Sequence, residues 1–414
     1  MREGGSDVGL LALGICGLAR GICARSAMVA FLGLMSASQV LSQTPSGFPV
    51  DITAGPSPQA VMADGRLHLL YELHLTNFAS LPIELTRIEL RGDDAASALA
   101  SYERGSLQSM VIPVEELSRS SSPTEAKGRS TIGEGHTVMI FVDLTLNADV
   151  SVPREIHHRY FFSVARTNKP RYETDFEGPV VTVNREPVLV LAHPPLRGSS
   201  WIAFNALGAE DHRRSLNAVD GRERIPQRFA IDWERLGPDG HTRRRKGDSN
   251  ADYYSYGAEV LAVADGRIAD AKDDIVENGG ATQRGARQIT LANVLGNYLV
   301  LDVGNTRFAL YAHLQPGSLR VKAGDSVKAG QVLALLGNSG NSDEPHLHFQ
   351  VTDGVMPLAA EGIPCEFTTF TQNGVLPDPA ALLERGGAWR AGAAETPVIR
   401  HNEFPLNNAV VTFP

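Results

Sequence analysis

The residues of this chain best suited to chemistry are histidines, and the sharpest grouping is His346-Leu347-His348-Phe349. On a β-strand, side chains two positions apart project to the same face, so both imidazoles share one side while Leu347 and Phe349 take the other. Two nitrogen donors on one rigid strand suit a metal ion such as zinc. In isolation the pattern fits a plain alternating strand equally well, so its surroundings decide its meaning. His313, two residues after Tyr311, reads either as a second functional histidine or as a hydrogen-bonded strand residue. Asp232 before Trp233 could be a ligand or a plain turn carboxylate. His68, Glu72 and His74 fall on one face of an N-terminal strand and are expected to form its solvent face. His157 and His158 are adjacent, would point to opposite sides of a strand and cannot easily share an ion. The chain has 3 cysteines, of which only Cys365 lies outside the first 43 residues. A multi-cysteine zinc site is thereby excluded, and any metal takes His and carboxylate ligands.

The elements that must position these residues read as β throughout. Residues 1–43 are expected to be a signal peptide or targeting segment: Arg20 and Arg25 precede the apolar run 28–35, and Ser36, Ala37 and Ser38 follow. Neither this run nor a second one upstream, 10–18, reaches the roughly 20 residues needed to span a bilayer. Residues 44–186 are expected to form an all-β domain. Along 67–75 the odd positions are apolar and the even ones mostly polar, the period of a half-buried strand. Further strand candidates lie at 83–90, 138–146, 160–165 and 179–184, which suggests a β-sandwich. Pro187, Pro194 and Pro195 mark 185–200 as an extended linker, and a second domain is expected over 187–385. There, 298–303 and 306–311 form a predicted hairpin around Gly304-Asn305. The strings Val321-Lys322-Ala323-Gly324-Asp325 and Val327-Lys328-Ala329-Gly330-Gln331 are near-duplicates. A tail, 386–414, shows little pattern and is expected to wrap back over the module.

Composition narrows the function. Hydrophobic residues at 43% and charged residues at 21% describe a globular chain, long enough at 414 residues for two cores. A formal charge of −9 argues against nucleic acid as a partner, since no basic excess exists to neutralise phosphates. The one basic cluster, Arg243-Arg244-Arg245-Lys246, sits among Gly, Pro and Asp and reads as a solvated loop.

Taken in order, Tyr311-Ala312-His313-Leu314, Gly324-Asp325, Gly330-Gln331, Gly337-Asn338-Ser339-Gly340 and Pro345-His346-Leu347-His348-Phe349 span 39 residues. Their order, intervals and types resemble the lysostaphin/LytM-type zinc metallopeptidases. The likeness extends upstream through Tyr256-Gly257 and Ala264-Asp265-Gly266 and covers roughly 205–370. Together with the strand pattern upstream, it gives a mainly β chain in which an N-terminal β-sandwich-like domain precedes an antiparallel β lysostaphin/LytM-type peptidase domain. It also implies a Zn2+ ion held by a first His, an Asp after it and the second His of the HxH. Carried onto this chain, those are His212, Asp232 and His348. The spacer of 19 residues between His212 and Asp232 departs from the family's short one. Looping out such a segment costs only about 0.6 kcal/mol per doubling of length. His241 and Asp220 are the rival ligands. By the same resemblance, His346 is the general base that takes the proton of the attacking water. His313 then orients or stabilises the oxyanion, the two roles being exchangeable.

The implied reaction is hydrolysis of the peptide cross-links of bacterial peptidoglycan by an exported protein, in the periplasm or the extracellular cell envelope. The implied partners are a peptidoglycan peptide and a regulatory envelope protein; the N-terminal domain is expected to shield the cleft, position the substrate or dock a partner. One alternative is a catalytically inactive relative that binds peptidoglycan or regulates another hydrolase; none of the matched positions is lost here. Another is a biotinyl- or lipoyl-like carrier, suggested by the repeats around Lys322 and Lys328. That reading leaves the histidines unexplained.

Overall fold

The computed structural model describes residues 47–94, 98–119, 128–166, 169–244, 249–279, 288–383, 387–392 and 396–414. The expected targeting segment, with Cys16 and Cys23, lies outside them, as do Arg245 and Lys246 of the basic cluster. The described chain is mainly β. Among the described residues, no helix is long and apolar enough to cross a membrane.

Two antiparallel sheets open the fold. One runs in the order Val50–Ala54, Arg66–Asn77, Thr137–Asn147, Val111–Pro113; the other runs Lys169–Glu177, Glu155–Arg166, Ile83–Arg91, Ala98–Glu103. Leu69, Tyr71, Leu73 and Leu75, the odd positions of the alternating strand, are buried in one cluster with Ile83, Leu85, Ile88 and Leu90 of the other sheet. The expected sandwich is therefore present. The even face of the same strand corrects the expectation of a solvent face. Glu72 is 2% exposed and receives Arg228 Nη2 at 2.7 Å. His74 Nε2 lies 2.9 Å from Glu223, and Leu70 joins the core of the C-terminal half. This face is where the sandwich meets the rest of the chain. A polar surface covered by a complementary one carries no local sequence mark of the difference.

The C-terminal half is built on an 11-stranded sheet. Its central order is Cys365–Val375, Ala409–Phe413, Gly198–Phe204, Ile231–Arg235, Leu347–Thr352, Arg307–Leu314, Asn297–Gly304, Gly266–Lys272. A two-stranded piece, Glu259–Leu261 with Val332–Leu335, contributes Val260, Leu333 and Ala334 to the same core as Trp201, Trp233, Tyr311 and Phe349. The stretch 386–414, patternless in the sequence, supplies an interior strand of the sheet: Ala409–Phe413 pairs with both Gly198–Phe204 and Cys365–Val375. Within the expected linker, Leu189–Leu191 pairs in parallel with Cys365–Val375.

Local chemistry explains the turns. In the predicted hairpin, Gly304 pairs with Arg307, so the central residues are Asn305 and Thr306, with φ of 53° and 54°. That is one position beyond the expected pair and matches the type I′ twist that suits antiparallel strands. The repeated strings make equivalent turns. Lys322 N–H donates to Asp325 Oδ2 at 3.0 Å, and Lys328 N–H donates to Gln331 Oε1 at 3.1 Å.

Candidate metal centre

The strand Leu347–Thr352 lies between Ile231–Arg235 and Arg307–Leu314, with His348 directly opposite Asp232 on one side and Ala312 on the other. Opposed residues share a face, so pairing alone brings Asp232 and His348 together. Leu347 and Phe349 point into the core, at 0% and 1% exposure, as the HxH alternation requires. His346, the residue before that strand, joins them with Nε2 3.5 Å from Asp232 Oδ1. His212 enters from a short 3-10 turn, His212–Arg214, and places Nε2 3.1 Å from Asp232 Oδ2.

His313 arrives by a different device. Simple alternation after Tyr311 and Ala312 would turn its side chain to the core side. Instead, Leu299 pairs with Tyr311 and Asn297 with Leu314, so Tyr298 alone faces Ala312 and His313, a β-bulge. His313 itself has φ of 62°, a left-handed conformation rare for a residue with a Cβ. Bulges re-aim side chains at functional positions, and such strain persists where the surroundings enforce it. The result is an imidazole 4.7 Å, centroid to centroid, from that of His346.

Hydrogen bonds set which nitrogen of each ring carries a proton. A carbonyl oxygen only accepts, so Nδ1–H of His212 donates to Asn205 O at 3.0 Å. Likewise Nδ1–H of His313 donates to Ser339 O at 2.8 Å, and Nδ1–H of His346 donates to Glu344 O at 2.8 Å. These three rings keep Nε2 as their acceptor. His348 is reversed. Both its nitrogens face oxygens, Nε2 at 2.8 Å from Gln350 Oε1 and Nδ1 at 2.8 Å from Asp232 Oδ1; when Nε2–H is given to Gln350, the Nδ1 lone pair is left for an ion. Asp232 Oδ2 also receives Asn205 Nδ2 at 2.9 Å.

Ligand-type atoms of His212, Asp232 and His348 thus lie within 4.8 Å of one another. Two neutral nitrogens and a carboxylate, all acceptors facing one point, are mutually repulsive unless a cation or shared protons lie between them. The donor set therefore fits a divalent ion of zinc's preference, with outer hydrogen bonds that orient the ligands. Electrostatics agree. Burial alone would raise the Asp232 pKa, but His212 and His346 outweigh it and hold the carboxyl well below its usual range. Burial would lower His212, yet Asp232 overrides it and raises the ring. At His346 burial prevails over Asp232 and pushes the pKa down. His313 is held well below its usual value, first by burial and then by His346 and His348.

All four histidines and Asp232 line one cleft of about 950 Å³, with Asn205, Glu234, Arg243 and Ser342 among its other walls. The rivals stay apart: Asp220 is exposed in the turn between Asn217–Val219 and Arg222–Arg224, and His241 faces Asp239 at 3.7 Å. Of the positions not anticipated, Gln350 was within reach, since it lies two residues beyond His348 on the same strand face. Asn205 carries no such signal. The carbonyls of Ser339 and Glu344 carry none at all, because every residue has one.

Residues 252–359 match the model of Peptidase family M23. Among curated relatives, lysostaphin of Staphylococcus simulans is 29% identical over 145 residues, 35% of this chain and 23% of that protein. Peptidoglycan DD-endopeptidase ShyA of Vibrio cholerae is 43% identical over 65 residues, 16% of this chain and 15% of that protein. The matched stretch thus spans under a quarter of either relative. A crystal structure of a zinc-containing peptidase from Vibrio cholerae aligns over 73% of this chain and 85% of that one, at 15% identity and a TM-score of 0.22. His212 and Asp232 lie upstream of the family-model match, so their place beside His348 rests on the geometry alone. With the sheet, the HxH strand and the bulged histidine in place, the match identifies residues 252–359 as a domain of peptidase family M23, of the lysostaphin/LytM type.

Proposed function

We propose that this chain is a zinc-dependent endopeptidase that hydrolyses peptide cross-links of bacterial peptidoglycan. The observation that carries the reading is the convergence of acceptor atoms from His212, Asp232 and His348 in a cleft also walled by His346 and His313. Family M23 peptidases are hydrolases, and the curated relatives include a peptidoglycan DD-endopeptidase. An exported location, periplasmic or in the cell envelope, follows from that substrate.

His212 Nε2, His348 Nδ1 and an Asp232 oxygen are the proposed ligands. A zinc ion there would supply a Lewis acid for the scissile carbonyl and acidify water. The chain's own residues do the rest. His346, its Nδ1 proton engaged by Glu344 O, offers Nε2 as the base that takes the water proton and returns it to the leaving amine. Its lowered pKa keeps it unprotonated at neutral pH, the form a base requires. His313 offers Nε2 as an acceptor that orients the water. It can donate to the oxyanion only after gaining a proton, which its burial opposes. This favours His346 as the base and His313 as the orienting group.

The test separates ligand from base. His348→Ala should abolish zinc binding and cross-link hydrolysis together. His346→Ala should keep zinc and lose turnover, a drop of about 10²–10⁴-fold. Full activity on purified peptidoglycan in either variant refutes the role assigned to it. A protein that binds zinc and cross-links but never cleaves them would instead be the inactive, regulatory relative.

A further inference from the structure

The spacer of 19 residues between His212 and Asp232 exposes its hairpin tip at 220–223 but packs on the sandwich to either side of it. It runs across the N-terminal sandwich and returns. Leu216 and Ile225 pack in one cluster with Ile112, Leu117, Met139 and Phe141 of the sandwich. Where the spacer ends, Arg228 grips Glu72 through Nε at 3.1 Å and Nη2 at 2.7 Å. Where it begins, the two residues after the proposed ligand both reach the sandwich. Arg213 donates to Val142 O and lies 5.8 Å from the centroid of the Phe141 ring. Arg214 Nη2 donates to Ser109 O at 2.6 Å. Within its own half, the His212 side chain is held by the Asn205 carbonyl and by Asp232. The backbone that carries it forms a turn of only 3 residues. So short a turn is not stable by itself, because helical nucleation is unfavourable until tertiary contacts support it.

We propose that the N-terminal sandwich is part of the metal centre, its surface holding the His212 turn in place through Arg213 and Arg214 as positioning residues. This rests on His212 being a ligand. It assigns the sandwich a role apart from substrate or partner docking: without its surface, one of three ligands loses its register with the other two. The sign of the effect is diagnostic. Removing a cation beside a cation site tightens metal binding if charge alone acts, whereas removing a positioning group weakens it.

The experiment measures zinc affinity of the full chain by chelator competition, with the d–d spectrum of the Co2+-loaded protein as a report on ligand geometry. Parent and His212→Ala set the two ends of the scale. Arg213→Ala is expected to weaken zinc binding by about 10–100-fold, the usual range for groups that orient a ligand, and to alter the cobalt spectrum. In a His212→Ala background the same change should cost less than about twofold, since its only route to the ion is gone. Arg213→Lys, which keeps a donor, should recover part of the loss. Should Arg213→Ala fail to fold, Arg214→Ala carries the same expectation through Ser109. Parent-like or tighter affinity in the arginine variants, or an equal loss with and without His212, overturns the proposal. If His212→Ala itself leaves zinc affinity unchanged, the ligand assignment falls first, and the positioning role with it.

Discussion

Replacing Gln350 with leucine tests the proposed metal centre through a residue outside the proposed ligand set. Gln350 is 1% exposed and its Oε1 accepts Nε2–H of His348 at 2.8 Å. Its own Nε2 is buried and finds no partner among the described residues. With Gln350→Leu, His348 can turn its proton to Nδ1 and donate to Asp232 Oδ1, already 2.8 Å away. In the metal-free protein the lost hydrogen bond is thus replaced, and one unsatisfied amide is removed. Folding stability should change by less than about 1 kcal/mol. Zinc binding needs Nδ1 unprotonated, which strands Nε2–H against a leucine. A lost hydrogen bond of about 1 kcal/mol plus part of the penalty for an orphaned donor comes to about 2 kcal/mol, or roughly 30-fold in affinity. Gln350→Glu restores an acceptor, a charged one, and should bind zinc at least as tightly as the parent. Chelator competition gives the affinities, denaturant unfolding of the metal-free proteins gives stability, and long-range ¹H–¹⁵N correlation reads the His348 tautomer. Parent-like zinc affinity in Gln350→Leu, or a loss of stability as large as the loss of affinity, refutes the reasoning.

Zinc affinity should fall as pH falls. Asp232 raises the pKa of His212 in the metal-free protein, so below that pKa zinc must displace a proton, at about tenfold in affinity per pH unit; titrations from pH 8 to 5.5 that show no slope contradict this. Glu72→Leu should destabilise the protein by about 3 kcal/mol by stripping the buried Arg228 of its two-point partner, with Glu361 at 3.0 Å compensating in part. Glu72→Leu with Arg228→Met should be less damaging than Glu72→Leu alone, and additive denaturant midpoints would show that the pair does not interact. His158 is pushed down to about 4, first by burial, while Tyr71 OH donates to its Nε2 at 2.8 Å. Its folded pKa lies below the unfolded value near 6.5, so the unfolded state binds more protons between the two. Stability from this group is complete above pH 6.5 and is lost as pH falls toward 4, by roughly 3 kcal/mol in all. In His158→Gln that part of the acid loss should vanish; an unchanged stability–pH curve would contradict the account.

What the sequence by itself determined was local. Alternation along 67–75 marked a strand and its inward face, and Leu69, Tyr71, Leu73 and Leu75 occupy that face. The HxH spacing placed His346 and His348 on one side and Leu347 and Phe349 in the core. The hairpin at 298–311 was legible from its turn residues, to within one position. Each of these depends on side-chain period or backbone preference within a few residues, and short-range patterns record both.

Tertiary structure decided the rest, because it depends on which distant segments pair. Only strand register sets Asp232 opposite His348 and Phe204, and His212 reaches Asp232 from the segment that follows Phe204, while the spacer after it packs on the sandwich. The bulge that aims His313 into the cleft involves Tyr298 on a neighbouring strand, so alternation alone would have sent that ring to the core side. Val410 and Val411 became interior to the sheet through partners far earlier in the chain. The polar face of 66–77 became an interface because Arg228 and Glu223 arrive to meet it. A residue type states what a side chain can bond to, and which partner it receives is settled only when the whole chain closes around it.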